Sequence, residues 1–129
     1  MAEDTQSAAV RDLLTVYERA LNASDARLAV SLYSPEGVFL PFDGPTATGA
    51  QELLEGYEAI FATIRLEVAF TVDDISVDGA TAHALTRSEG HSTDLATGTR
   101  SPERNRELFV FDHADGSWRI ARYMFNKPV

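Results

Sequence analysis

The sequence predicts an α+β fold in which three helices precede an antiparallel β-meander. Three observations carry that expectation. Apolar residues recur at helical spacing through the first half of the chain, and from Leu66 onward the period falls towards two. The second half is then punctuated by Asp78-Gly79, Ala96-Thr97-Gly98 and Asp115-Gly116, which read as hairpin turns. Helices followed by a run of strands, rather than alternating with them, is the α+β pattern.

The elements follow in order. Val10, Leu13, Leu14, Tyr17, Ala20 and Leu21 share one helical face, with Asp4 or Thr5 as the N-cap and Asn22-Ala23-Ser24 as the break. Ser24 or Asp25 caps a shorter helix carrying Leu28, Leu32 and Tyr33, which Pro35 is expected to stop. Val38-Phe39-Leu40 is a short extended run, and residues 41–46 hold too much Pro and Gly for regular structure. Leu53, Leu54, Tyr57, Ile60, Phe61 and Ile64 form the stripe of a third helix. Residues 66–77 read as a strand whose alternation slips at Asp73-Asp74, the mark of a bulge. Residues 80–92, 103–112 and 117–126 complete a four-strand meander.

Composition bounds the function. The 129 residues fit a single domain spanning 1–129. Twenty acidic residues against 11 basic ones give a formal net charge of −9 and a pI near 4.6. That surplus argues against DNA or RNA as a partner, because phosphate binding requires a surplus of Lys and Arg. A mean hydropathy of −0.16 and 44% hydrophobic residues describe an ordinary globule, with no apolar run near the ~20 residues of a membrane span. The acidic start, Met1-Ala2-Glu3-Asp4, differs from a signal peptide, so a cytoplasmic location is expected. Without cysteine there is no disulfide, thiolate zinc site or cysteine nucleophile. His83, His91 and His113 show no metal-ligand spacing with the carboxylates, and neither a metal nor a cofactor is expected.

Centring the last two turns near Ala96-Thr97 and Asp115 gives a testable register. Glu107 then lies opposite Thr86 and Tyr123, and Phe109 opposite Ala84 and Ala121. Asn105, Phe111, Ser88 and Phe125 share that face. The helices must pack on it, yet Ala84, Thr86, Ser88 and Ala121 are too small to fill the gap beneath them. A strongly curved sheet would leave a pocket for a small apolar ligand, lined by Ala84, Thr86, Ser88, Asn105, Phe109, Tyr123 and Phe125, with Phe39 and residues 41–48 at its mouth. Glu107 is the candidate functional residue, since burial raises a carboxyl pKa and suits it to acid–base work or hydrogen-bond donation. The plainer alternative is a buried acid satisfied by Tyr17, Tyr123 or an arginine.

The opposite face carries His83, Leu85, Arg87, Glu89, Arg104, Arg106, Leu108, Val110, Trp118, Ile120, Arg122 and Met124. That mixture suits a homodimer interface through Trp118, Ile120, Arg122, Arg104 and Arg106. Glu89 pairs there with Arg104, whereas Arg87 opposite Arg106 requires an intervening carboxylate.

Several stretches carry a family resemblance. They are residues 17–25 (Tyr17-Glu18-Arg19-Ala20-Leu21-Asn22-Ala23-Ser24-Asp25), 32–39 (Leu32 to Phe39), 44–49 (Gly44 to Gly49), 105–111 (Asn105-Arg106-Glu107-Leu108-Phe109-Val110-Phe111) and 118–128 (Trp118 to Pro128). In them the chain resembles the nuclear transport factor 2-like superfamily (cystatin-like cones), which includes ketosteroid isomerases and SnoaL-like cyclases, and within it the SgcJ/EcaC family. The resemblance implies a conical fold with an interior pocket, a dimer through the outer sheet face, and a setting in bacterial polyketide or enediyne metabolism. The resemblance places Tyr17 and Glu107 where ketosteroid isomerases hold a catalytic Tyr and a protonated acid, the two groups that stabilise the enolate. It places Pro41 where those enzymes hold their base, and a proline cannot abstract a proton. Three readings therefore remain open: a cofactor-free isomerase, cyclase or dehydratase acting on a polyketide-like metabolite, a non-catalytic dimer that holds a hydrophobic intermediate, and a dimerising scaffold with a filled core and no ligand.

Overall fold

The computed structural model of the chain describes residues 4–128. Helix α1 spans Thr5–Asn22, and the Asp4 carboxylate caps it by accepting the Ser7 N–H at 2.8 Å. Helix α2, Ala26–Ser31, is capped in the same way by Asp25, which accepts the Leu28 N–H at 3.0 Å. Helix α3 spans Gly49–Thr63. Strands β1 (Tyr33–Leu40), β2 (Ala47–Thr48), β3 (Ile64–Asp78), β4 (Thr81–Asp94), β5 (Arg100–Ala114) and β6 (Ser117–Asn126) form one sheet in the order β2-β1-β6-β5-β4-β3. Every neighbouring pair is antiparallel except β1 with β6, which run parallel. No described helix is long and apolar enough to cross a membrane.

The expected α+β class is the observed one, with three differences. The second helix ends at Ser31, four residues before Pro35, and Tyr33 already begins a strand. Pro35 is tolerated in β1 because the β1–β6 ladder is interrupted between Tyr33 and Val38, where no backbone donor is needed. Ile64 is the first residue of β3 rather than the last of a helix. The meander also gains β1 and β2 at its β6 edge, for six strands among the described residues.

The β3–β4 bulge falls at Asp73, as the broken alternation indicates. The same hairpin requires glycine at position 90, where an added Cβ would lie 1.9 Å from the Glu67 carbonyl oxygen. The β4–β5 register is as expected, with Thr86 opposite Glu107 and Ala84 opposite Phe109.

The β5–β6 register needs correction. Asp115 and Gly116, with φ of 54° and 78°, form a two-residue turn that sets Ala114 opposite Ser117 and Phe111 opposite Ile120. Pairing then skips Ala121, so Glu107 faces Phe125 and Phe109 faces Tyr123, instead of Tyr123 and Ala121. Beyond this bulge, the inner and outer faces are as expected. Between bulge and turn they are reversed. Trp118 and Ile120, expected on the outer face, therefore belong to the core, and Ile120 is fully buried. The Trp118 indole donates to Gln6 Oε1 of α1 at 2.6 Å. Arg122, Arg104 and Arg106 remain on the exposed face.

Candidate functional site

The concave face of the sheet and the helices above it enclose a cavity of about 420 Å³, of a size that suits a small organic ligand. Its wall is largely apolar: Leu21 from α1, Phe39 from β1, Ile60 from α3, Leu66, Val68 and Phe70 from β3, and Phe125 from β6. Polar groups enter at two places. Tyr17, Tyr57, Tyr123, Ser88 and Glu107 form one set, and Lys127 gathers Glu103, Asn105 and the Phe42 ring into another, with Pro41 and Asp43 also in the lining.

Strand alternation turns Glu107 inward between Phe109 and Asn105, where its residue is only 4% exposed. Its carboxyl is held on both oxygens: Thr86 Oγ1 donates to Oε1 at 2.6 Å and Ser88 Oγ to Oε2 at 2.6 Å. Burial pushes the Glu107 pKa above the ordinary carboxylate value. The two hydroxyl hydrogen bonds oppose that rise, and the charges of Asp73 and Glu103 reinforce it.

The second polar feature is a chain of phenols. Tyr17 on α1 and Tyr33 on β1 each share a hydrogen bond of 2.6 Å with the Tyr57 hydroxyl of α3. The Tyr123 ring packs edge-on against Tyr17 with centroids 5.5 Å apart, and stacks on Phe109 at 4.2 Å. All four tyrosines of the chain are buried in this cluster, and burial raises the pKa of each above the usual phenol value. They are neutral hydrogen-bonding groups across the physiological range. An apolar cavity with a buried carboxyl and a phenol donor can polarise a ligand oxygen and transfer a proton without bulk water.

Most of the sequence-derived site residues converge here. Glu107, Tyr17, Tyr123, Ser88, Asn105, Phe125 and Phe39 line the cavity, as do Pro41 and Phe42 of the loop expected at its mouth. Thr86, Ala84 and Phe109 do not. Thr86 supports Glu107 from the side, and Ala84 and Phe109 are fully buried in the sheet beneath the cavity. Sequence reasoning missed Tyr57 and Tyr33, which read as helix-stripe residues. The available signal was that a buried phenol needs a partner, and these two supply it to each other. It also missed Asp43, Glu103 and Lys127 in the lining, and the Lys127–Glu103 pair joins two segments 24 residues apart. Among the described residues, no group of three or more His, Asp or Glu side chains is arranged to hold a metal ion.

The profile of the SnoaL-like domain matches residues 13–123. The chain belongs to the SnoaL-like domain family. Among solved structures, a ketosteroid isomerase-like protein from Erwinia carotovora atroseptica is similar with a TM-score of 0.93 and 28% identity, over 98% of this chain and 99% of that one. A nuclear transport factor 2-like superfamily protein from Salmonella enterica serovar Typhimurium gives a TM-score of 0.85 at 20% identity, covering 97% and 92% of the two chains. A domain with a cystatin-like fold from Nostoc punctiforme gives 0.79 at 18%, covering 98% and 80%. No curated protein matches the sequence significantly. These neighbours show that the chain has the cystatin-like fold that the nuclear transport factor 2-like protein also has.

Proposed function

We propose that this protein is a cofactor-free acid–base catalyst of the SgcJ/EcaC kind, acting on an apolar, polyketide-like metabolite in bacterial secondary metabolism. The observation that carries the reading is that a buried carboxyl, Glu107, and a phenol, Tyr17, face one apolar cavity. In this reading Glu107 moves the proton, and Tyr17, backed by Tyr57 and Tyr33, donates a hydrogen bond to a ligand oxygen as charge develops on it. Glu107→Gln keeps the shape and removes the titrating proton. Assayed on a panel of polyketide-like ketones, it is expected to lower kcat by at least about 100-fold with little change in KM, the scale of general acid–base catalysis. Unchanged turnover defeats the proposal.

Pro41 favours a second reading. It lines the cavity where the superfamily resemblance calls for a base, so the pocket can serve a binding protein that holds a hydrophobic intermediate. That reading expects Glu107→Gln to bind ligand normally, and a cavity-filling Gly56→Phe on α3 to abolish binding.

A homodimer through the outer sheet face accompanies both readings. Leu85, Leu108 and Met124 lie directly across from one another on β4, β5 and β6, and are 46%, 40% and 47% exposed. Such a row, flanked by Arg104 and Arg106, suits a two-fold contact with a second copy. Leu108→Asp is expected to convert the dimer to a monomer in sedimentation, and a wild-type monomer at micromolar concentration defeats this part of the proposal.

A further inference from the structure

Behind Glu107 runs a line of hydrogen bonds whose direction is set by chemistry alone. The Lys127 ammonium on the C-terminal segment donates to Asn105 Oδ1 at 2.8 Å and to Glu103 Oε2 at 2.8 Å. Asn105 Nδ2 donates to Glu103 Oε2 at 3.0 Å and to Ser88 Oγ at 3.2 Å. Ser88 Oγ in turn contacts Glu107 Oε2 at 2.6 Å.

An ammonium has only donors and a carboxylate only acceptors. Lys127 therefore demands the oxygen of the Asn105 amide, and Glu103 demands its nitrogen. A flipped amide would set donor against donor at Lys127 and acceptor against acceptor at Glu103. With Nδ2 aimed at it, Ser88 Oγ is an acceptor from Asn105, and its single hydroxyl proton is left for Glu107. Oε2 of Glu107 is thus committed as an acceptor. When Glu107 is neutral, its proton resides on Oε1, beside Thr86 Oγ1, whose hydroxyl can turn to accept or donate.

We propose that Lys127 and Glu103 are positioning residues which, by fixing the Asn105 amide from both sides, point the Ser88 hydroxyl at Glu107 and hold the Glu107 proton at Oε1. Neither need touch the ligand. The inference deepens the reading of Glu107 as the acid of the pocket, by naming what orients its proton. It also gives Glu103 a role beyond charge: Glu103 repels a charged Glu107, yet through Asn105 and Ser88 it helps to solvate one. The other ionisable groups that act on Glu107 are Asp73, from across the sheet, and the phenols of Tyr17 and Tyr123.

The test is a carboxyl ¹³C NMR titration of the full chain with labelled glutamate, the Glu107 signal being identified by its loss in Glu107→Gln. It needs no ligand, so its outcome is independent of whether Glu107 catalyses anything. Lys127→Arg, still a cation with donors only, should leave the midpoint where wild type has it. Glu103→Gln/Lys127→Met removes one charge of each sign, leaving the net charge near Asn105 unchanged and freeing the amide to flip. It should tighten proton binding at Glu107 several-fold. Asn105→Asp reverses the direction outright, since an acceptor now faces Ser88. It should tighten proton binding at Glu107 by roughly tenfold or more, the worth of one charge-assisted hydrogen bond. A double variant that titrates at or below the wild-type midpoint overturns the proposal, as does an Asn105→Asp midpoint at or below wild type. Cross-peak dispersion in the same samples verifies that each variant is folded.

Discussion

Two carboxylates on opposite faces of the same sheet behave in opposite ways. Glu107, on the concave face, is surrounded by neutral hydroxyls and aromatic rings, and burial raises its pKa. Asp73, on the convex face, sits at the β3 bulge and takes a bidentate contact from Arg87, with Nε–Oδ2 at 2.8 Å and Nη2–Oδ1 at 2.9 Å. Hydrogen bonding from that guanidinium lowers its pKa despite a small opposing desolvation. Asp73 also answers the sequence-level problem of Arg87 opposite Arg106: the bulge delivers the missing carboxylate to Arg87, while Arg106 turns to Asn126 at 2.8 Å. The concave face is organised by exclusion of water and the convex face by pairing of charges in water. Only the first can store a perturbed proton.

The largest test of that contrast compares neighbours on β5. Phe109 is fully buried and stacked on Tyr123 and Phe111, and Phe109→Ala should cost about 3–5 kcal/mol in urea unfolding. Leu108, one residue away and 40% exposed, should cost less than about 1 kcal/mol as Leu108→Ala at concentrations where the chain is monomeric. Equal losses would erase the distinction between the faces.

The phenol cluster comes next. Tyr57→Phe removes the hydroxyl shared by Tyr17 and Tyr33, and should destabilise by about 1–3 kcal/mol because both partners lose a buried hydrogen bond. In wild type, absorbance at 295 nm should show no phenolate through pH 10, where free tyrosine is half ionised, and should then rise together with unfolding. Gradual ionisation of a folded chain would contradict the burial.

The smallest effects have opposite signs on the two faces. The folded state holds the Glu107 proton more tightly than the unfolded chain, so this group lowers stability as pH rises from the ordinary glutamate value through its raised folded value. The stability of Glu107→Gln relative to wild type should therefore increase across that window and level off above it. Asp73 is the reverse: its contribution is present above the ordinary aspartate value and is lost as pH falls through the lowered folded one. Asp73→Asn should thus be at a disadvantage only at the higher pH, and a small one, because the pair is exposed and screened by salt. Thermal melts of both variants from pH 3 to 7 measure the two slopes. Parallel slopes would show that one environment governs both acids.

Local patterns carried much of the fold. The caps at Asp4 and Asp25, the helix stripes, the Asp73 bulge and the β4–β5 register all depend on residues close in sequence or joined by a short turn, where side-chain period and turn chemistry leave few choices. Glu107 was legible for the same reason: once Thr86 lies opposite, alternation turns it inward. What tertiary structure alone decided lies at β6 and around the tyrosines. Nothing local marks Ala121 as the residue that pairing skips, because the skip lets Trp118 and Ile120 reach the helices while Tyr123 and Phe125 still face the cavity. The parallel β1–β6 contact and the meeting of Tyr17, Tyr33 and Tyr57 join elements tens of residues apart. Such contacts form only because they jointly fill one interior and satisfy its polar groups, a condition imposed by packing in three dimensions and invisible to any window of sequence.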